Sequence, residues 1–167
     1  MISNKRILLK PLSYEQLVSY ILEDGDLENE LKLNFKPKGI SAEAKNALQK
    51  DILPNVTKSG KNYRFNTLWI IISQSEKLIV GEIVFLGSPD LEGEVELGYL
   101  IYEGFRNKGY MTEAIHILVK WAKTQVEVNS IFAQTAKNNP ASFTLLEKTG
   151  FVKVGEDETI FNWRLFV

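Results

Sequence analysis

The stretch VELGYLIYEGFRNKGYMTEAIHILVKWA, residues 95–122, decides how this chain is read. VELGYLIYE has the composition and alternation of a strand. From about Met111 to Lys123, Ala114, Ile115, Leu118 and the Trp121–Ala122 pair recur at helical spacing and make a buried stripe. Arg106, Asn107, Lys108, Gly109 and Tyr110 lie between the two. A helix N-terminus leaves backbone N–H groups unpaired and carries partial positive charge. Glycine lets the chain approach a ligand and adopt positive φ. Consecutive N–H groups then form an anion nest, to which Arg106 and Lys108 add charge. The physical reading is a cradle for a diphosphate. A plain turn with solvated cations satisfies the same residues, and a lone G-x-x-x-x-G is a weak signal. No Lys-Ser/Thr follows the second glycine, so this is not a P-loop. The G-x-G-x-x-G spacing of a dinucleotide fingerprint is also missing.

Working outward, RILLKPLS reads as a strand and SYEQLVSYILED as a helix capped by Ser13, with Leu17, Tyr20 and Ile21 at helical spacing. GDLENELKLNFKPKG is polar, broken by Pro37 and Gly39, and reads as a loop holding a helical turn. SAEAKNALQKDIL is a second helix, capped by Ser41 and stopped at Pro54. RFNTLWIIISQ and KLIVGEIVFLG, joined by SEK, form a hairpin, and VELGYLIYE continues it as an antiparallel meander. After the helix at 111–123, SIFAQTAK is a strand, and NPASFTLLEKTG is a helix with Pro140 at its start and Gly150 past its end. FVKVGE and IFNWRLFV close the chain as two strands. The strand–helix–strand unit from Val95 to Lys137 implies a parallel pair with a right-handed crossover. The expected fold is α/β, an α+β mixed sheet that is mostly antiparallel with one parallel pair, flanked by about four helices. No repeat, linker or low-complexity tract supports a boundary, so residues 1–167 read as one domain.

Composition narrows the chemistry. Twenty basic residues nearly balance 21 acidic ones, so no global field argues for nucleic acid. There is no cysteine, which excludes disulfides, thiolate nucleophiles and Cys-based zinc sites. A single histidine makes a His-rich metal site or a serine triad improbable, and no metal is expected. His116 falls inside the central helix and receives no role. Proton chemistry falls to carboxylates, hydroxyls, lysines or water. The N-terminal apolar run is too short for a signal peptide, and no run approaches about 20 apolar residues. The expectation is a cytoplasmic protein without a membrane segment.

The 95–122 stretch together with NNPASFTLLEKTGF resembles the GNAT superfamily of acetyl-CoA-dependent N-acetyltransferases, and most closely the branch holding the ribosomal-protein-alanine and spermidine acetyltransferases. The strong match runs from Glu94 to Phe151, about a third of the chain. A strand, R-x-x-G-x-x-T-E-A, N-x-x-S and E-K-x-G-F in this order are far more specific jointly than singly. In the family's pyrophosphate loop Arg106 and Gly109 match, and Met111 stands at a position that is small in the family. The resemblance implies that acetyl-CoA lies between splayed strands LGYLIY and SIFAQT. Tyr99, Leu100 and Ile101 would pair their backbone with the pantetheine arm, and Arg106 to Thr112 (Arg106, Asn107, Lys108, Gly109, Tyr110, Met111, Thr112) would cradle the diphosphate. A bulge opens this strand in the family, and Gly98 suits one. A backbone N–H at Tyr99 or Leu100 would polarise the thioester carbonyl. Asn139 and Ser142 match N-x-x-S. Many relatives carry a leaving-group tyrosine where Leu146 stands, so Ser142 is the remaining donor. Lys148 is a further candidate for a phosphate contact.

Amide formation needs a neutral amine, so a base is required. Glu96 stands where the family often has a glutamate. Strand alternation puts Glu94 on its face, and Glu82 on the neighbouring strand is a candidate to join them. The resemblance implies an acceptor bounded by the first two helices and the last strand turn, here segments 22–39 and 155–159, whose acid favours a cationic acceptor, either a small-molecule amine or a protein N-terminal amine. Phe35, Tyr63, Trp69 and Trp163 are pocket or core aromatics. Relatives are often homodimers. A non-catalytic acyl-CoA-binding module of the same fold is the alternative.

Overall fold

The computed structural model describes residues 1–58 and 60–167. Eight strands form one mixed sheet: β1 (Ile2–Ser3), β2 (Ile7–Pro11), β3 (Leu68–Ser73), β4 (Leu78–Phe85), β5 (Glu94–Ile101), β6 (Ser130–Ala136), β7 (Val152–Glu156) and β8 (Ile160–Phe166), in the order β1-β2-β3-β4-β5-β6-β8-β7. The expected meander is β3-β4-β5, and the parallel pair is β5-β6. The helices are α1 (Tyr14–Leu22), α2 (Asp26–Glu30), α3 (Ala42–Ala47), α4 (Leu53–Lys58), α5 (Tyr110–Ala122) and α6 (Pro140–Lys148).

β3 explains the layering. All six of its residues, LWIIIS, are buried, because both faces of the sheet are covered. Trp69 and Ile71 join one core with Ile83, Phe85, Val95, Leu97 and the apolar stripe of α5. Leu68, Ile70 and Ile72 join a second core with Leu17, Tyr20 and Ile21 of α1, Leu27 of α2, Leu48 and Val56. The expected start of α1 is realised as a full capping box, with Ser13 and Gln16 exchanging side-chain and backbone bonds.

Two expectations are corrected. The second helix does not stop at Pro54. Leu48–Ile52 turn in π geometry, with Leu53 N–H donating to Leu48 O five residues back, and α4 then carries Pro54 within it. The wider turn accommodates a residue that has no N–H and whose ring crowds the preceding turn. Gly98 does not sit in a bulge. The β4–β5 register runs unbroken from Gly81↔Ile101 to Phe85↔Leu97, through Val84↔Gly98. The register shifts instead in the neighbouring ladder, between Ile71 and Ile72 of β3 opposite β4.

Gly81 is the glycine that this geometry requires. A Cβ there would lie 2.5 Å from Leu100 O and 3.2 Å from Ile101 Cα, both backbone atoms of β5. We expect Gly81→Ala to force β4 from β5 and lower stability by about 2–3 kcal/mol, as overpacking does. For a chain of this size that is a fall of roughly 5–10 °C in Tm, read by thermal unfolding. An unchanged Tm would show that the ladder yields without cost.

Candidate active site

β5 and β6 pair only over Glu94↔Ser130, Val95↔Ile131 and Glu96↔Phe132. Beyond that rung β5 stays with β4, and β6 stays with β8 as far as Ala136↔Ile160. The sheet therefore parts in its middle. The phase of β5 follows from the bonds at its ends, Leu86 N–H to Glu96 O (2.9 Å) and Tyr102 N–H to Val80 O (3.1 Å). Backbone groups alternate in direction along an antiparallel ladder. Glu96, Gly98, Leu100 and Tyr102 thus turn theirs to β4, while Leu97, Tyr99 and Ile101 turn theirs into the gap. Of the two expected carbonyl-polarising donors, Tyr99 N–H faces the gap and Leu100 N–H does not.

A cleft of about 810 Å³ fills this gap. β5 contributes Tyr99, Leu100 and Ile101; the loop and first turn of α5 contribute Arg106, Asn107, Gly109, Tyr110, Met111 and Thr112; α6 contributes Asn139 and Ser142. Every expected cofactor residue except Lys108 lines it. Lys108 instead lies 5.2 Å from the Phe105 ring centroid, and its carbonyl accepts from Arg6 at 2.6 Å. Sequence reasoning missed Phe105, Pro140, Ala141, Thr144 and Leu145. Ala141, Thr144, Leu145 and Lys148 were legible as one helical stripe at three- and four-residue spacing.

The loop is built as a nest. Asn107 has φ 59°, Gly109 has φ 80°, and Gly109 caps α5 without any side-chain hydrogen bond. The first N–H groups of α5 are thus free of a side-chain cap, and the exposed Arg106, whose Nε donates to Ile101 O at 3.5 Å, lines the same cleft. Arg6 fixes the loop to the helix. It pairs with Glu113 at 2.5 Å and stacks 4.5 Å from the Tyr110 ring centroid. Met111 is only 6% exposed and its side chain belongs to the core, so its bulk does not fill the cleft. On α6, Asn139 Oδ1 caps the helix by accepting from Ser142 N–H at 3.2 Å. Leu146 is fully buried. The Tyr99 hydroxyl reaches Ser142 Oγ at 2.8 Å, a contact that no spacing in the sequence announced.

The carboxylates do not gather as expected. Glu94 is held by Ser130 Oγ (2.8 Å) and by Arg164 (2.5 and 3.1 Å). Glu96 does not line the cleft, so it is not brought to Ser142. Alternation turns its side chain to the face that carries Gly98 and Leu100. Glu82 pairs with Leu100, four residues along β4 from Leu86, which binds Glu96, so it does not join Glu96. It sits in a separate cluster. Tyr20 donates to its carboxylate, and the Tyr20 and Tyr102 hydroxyls are 2.5 Å apart. Beside them Lys38 and Glu28 form a buried pair at 2.6 Å, with Lys38 5.1 Å from the Tyr20 ring centroid. Burial raises the Glu82 carboxyl above its ordinary value, against the opposing bonds from Tyr20 and Tyr102. Burial likewise pushes both phenols up. Trp69 and Trp163 are core, Phe35 is half exposed, and Tyr63 lines a second, smaller cavity with Trp121. His116 is exposed. Among the described residues no group of three or more His, Cys, Asp or Glu is placed to hold a metal, and no helix is long and apolar enough to cross a membrane.

Residues 6–152 match the Acetyltransferase (GNAT) domain. The chain belongs to that family. An uncharacterized N-acetyltransferase of Bacillus subtilis, YjdG, is 39% identical over 84 residues, a match that spans 50% of this chain and 50% of the relative. Among solved structures, RimL, a ribosomal L7/L12 alpha-N-protein acetyltransferase in complex with coenzyme A, superposes with a TM-score of 0.71 at 14% identity over 100% of this chain and 98% of that one. A mutant form of the spermidine/spermine N-acetyltransferase SpeG of Vibrio cholerae gives 0.66 at 14% identity, over 96% and 94% of the two chains. At these identities the likeness is one of fold. The GNAT resemblance read from Glu94–Phe151 thus extends over most of the chain.

The raised Glu82 carboxyl gives a test of the Tyr20–Glu82–Tyr102 cluster. The folded protein holds this proton to higher pH than the unfolded chain does, so its contribution to stability declines as pH rises from the ordinary value of 4.5 toward the raised one. Glu82→Gln removes that slope. Unfolding measured across pH should show the variant gaining on the wild type over this window. Parallel pH profiles would mean that Glu82 ionises normally.

Proposed function

We propose that the protein is an N-acetyltransferase that uses acetyl-CoA as cosubstrate and acetylates a primary amine by direct attack in a ternary complex. The observation that carries this reading is the cleft at the parted strands, with an uncapped helix N-terminus at one end. The residues fit the group. The free N–H groups of α5, with Arg106 in the same cleft, suit the diphosphate. The gap-facing backbone of Tyr99 and Ile101 suits an extended amide-bearing arm. Asn139, Thr144 and Lys148 bound the opposite wall. Acetyl-CoA supplies an activated acyl group, so much of the rate comes from holding amine and thioester together. Tyr99 N–H, which faces the gap, would donate to the thioester carbonyl as charge develops there. Ser142 is the hydroxyl donor on the cleft wall.

Glu96 remains the proposed base. It lies at the last paired rung, on the face of β5 away from the cofactor wall, and its neighbour Glu94 is already taken by Arg164. The acceptor is an amine of a small molecule or of a protein N-terminus. Support for either comes from fold relatives that act on a ribosomal protein and on spermidine/spermine. The acid of the two candidate acceptor loops is a weaker guide than its count suggests. Glu23 pairs with Lys45, Glu28 with Lys38, and Glu156 with Lys137 and Lys153.

A calorimetric titration with acetyl-CoA, with ADP and NAD as controls, tests the cofactor assignment. Stoichiometric binding well above both controls is expected, and Arg106→Ala should weaken it roughly tenfold, about 1.4 kcal/mol. Equal affinity in the variant would remove Arg106 from the site, and no binding by the wild type would end the acetyltransferase reading. With an acceptor found by mass-spectrometric screening, Glu96→Gln should lower turnover about 100-fold while acetyl-CoA affinity holds. Turnover that is unchanged across pH would dismiss Glu96 as the base.

A further inference from the structure

We infer that the Tyr99 phenol is a positioning residue that turns the Ser142 hydroxyl toward the leaving sulfur of the acyl donor. The inference rests on the acetyl-CoA reading above. Tyr99 springs from the gap-facing edge of β5 and crosses to α6, where its hydroxyl lies 2.8 Å from Ser142 Oγ and 3.3 Å from Ser142 O. Both residues line the cleft.

Two proton arrangements fit these distances. In one, Ser142 donates to the phenol oxygen and the phenol donates to the Ser142 carbonyl, leaving no proton for the cleft. In the other, the phenol donates to Ser142 Oγ, and the serine proton is free to point at a ligand. An acceptor in the cleft that bears developing negative charge selects the second arrangement, because hydrogen bonds to charged acceptors are the stronger ones. Without the phenol, a first-turn serine hydroxyl turns to local backbone groups instead. Among the described residues Ser142 is otherwise anchored only through its backbone, by Asn139 Oδ1 (3.2 Å) and Asn139 O (3.1 Å). One turn further along α6, Leu146 is fully buried and apolar, so the helix offers no hydroxyl of its own there. The phenol comes from the sheet instead.

Burial raises the Tyr99 phenol above its ordinary value, with the Ser142 bond opposing. It therefore stays protonated and neutral while a thiol ionises. The pair thus donates hydrogen bonds rather than surrendering a proton. In the transfer itself the amine nitrogen–carbon bond forms, the carbon–sulfur bond breaks, the nitrogen loses one proton and the sulfur gains one. No other reactant is needed. The hydroxyl pair stabilises the sulfur anion until that proton arrives.

The test needs no acceptor. Coenzyme A bound to the purified protein carries a free thiol at this place, and its ionisation is followed by ultraviolet thiolate absorbance against pH. In the wild type the bound thiol should ionise below free coenzyme A, as an anion that receives a hydrogen bond does. Tyr99→Phe, which removes one oxygen and keeps the ring, should raise the midpoint by about one pH unit, a tenfold loss of thiolate preference. Ser142→Ala should raise it similarly, and the double variant should go no higher than either. Each titration is run at saturating coenzyme A, with the affinity of every variant measured first, so that the midpoint reports the bound thiol. If Ser142→Ala leaves the midpoint at the wild-type value, the proposal is overturned, whether or not Tyr99→Phe folds. If only Ser142→Ala moves it, Ser142 acts alone and Tyr99 has no part. If the wild type fails to bind coenzyme A at all, the cofactor reading falls first and takes this inference with it.

Discussion

The structure turns on an unpaired strand edge. Backbone N–H and C=O groups in a folded interior are almost always bonded, and a sheet that splits in its middle breaks that rule along two facing edges. Pairing between β5 and β6 ends at Glu96↔Phe132, and each strand then holds only its outer neighbour. What keeps the split open is the rigidity on either side. β3 and β4 are packed from both faces, and β6 is locked to β8 over seven successive residue pairs. α5 and α6 start beside the two diverging strands and present their N-terminal turns to the same space. An edge that satisfied itself would close the cleft. The fold keeps a hydrogen-bonding deficit that an extended amide chain is suited to fill.

Much of this was legible because the relevant signals are local. Periodicity marks α5, Asn139 with Pro140 marks the start of α6, and the apolar run of β3 marks a strand covered on both faces. Arg106, Asn107 and Gly109 could be read as a nest because positive φ and an uncapped helix start depend on a few consecutive residues. The errors arose where a distant or register-dependent term decides. Pro54 signals a helix stop on propensity alone, yet a π turn and the burial of Leu48 and Val56 against α1 carry the helix past it. Gly98 suggested a bulge, but its small size answers to Val84, whose Cγ1 would lie 3.2 Å from any Cβ placed there. Whether the Leu100 or the Tyr99 N–H is free depends on ladder phase, which cannot be read from one strand.

Charge was the least legible quantity. The sequence shows acid in 22–39 and 155–159, but not which cations answer it. Glu28 and Lys38 lie ten residues apart and are both buried, and such a pair offsets a desolvation cost more than it adds stability. Its consequence is geometric. It fastens the chain after Pro37 against α2 and sets Lys38 over Tyr20, while Glu23 accepts from the Lys38 and Gly39 N–H groups (2.8 and 3.1 Å). The acidic segment is thereby a braced wall rather than a free negative field.

Strand alternation then divides the labour at the end of β5. Tyr99 points to α6 and bonds Ser142, while the next residue, Leu100, points to the other face and is paired with Glu82. The two faces differ in chemistry as well as direction. On the α6 side are hydroxyls open to the cleft. On the α1 side are a carboxyl and two phenols packed together, Tyr20 fully buried and Glu82 and Tyr102 largely so, and desolvation disfavours their charged forms. A hydrogen-bonded cluster of that kind is well suited to fixing α1 against β4 and the end of β5. Because Tyr102 directly follows β5 and its N–H is bonded to Val80, the cluster also fixes the strand whose free edge forms the cleft. The Tyr20–Glu82–Tyr102 cluster on the α1 face thus holds the strand in place, while Tyr99 and Ser142 on the α6 face line the cleft.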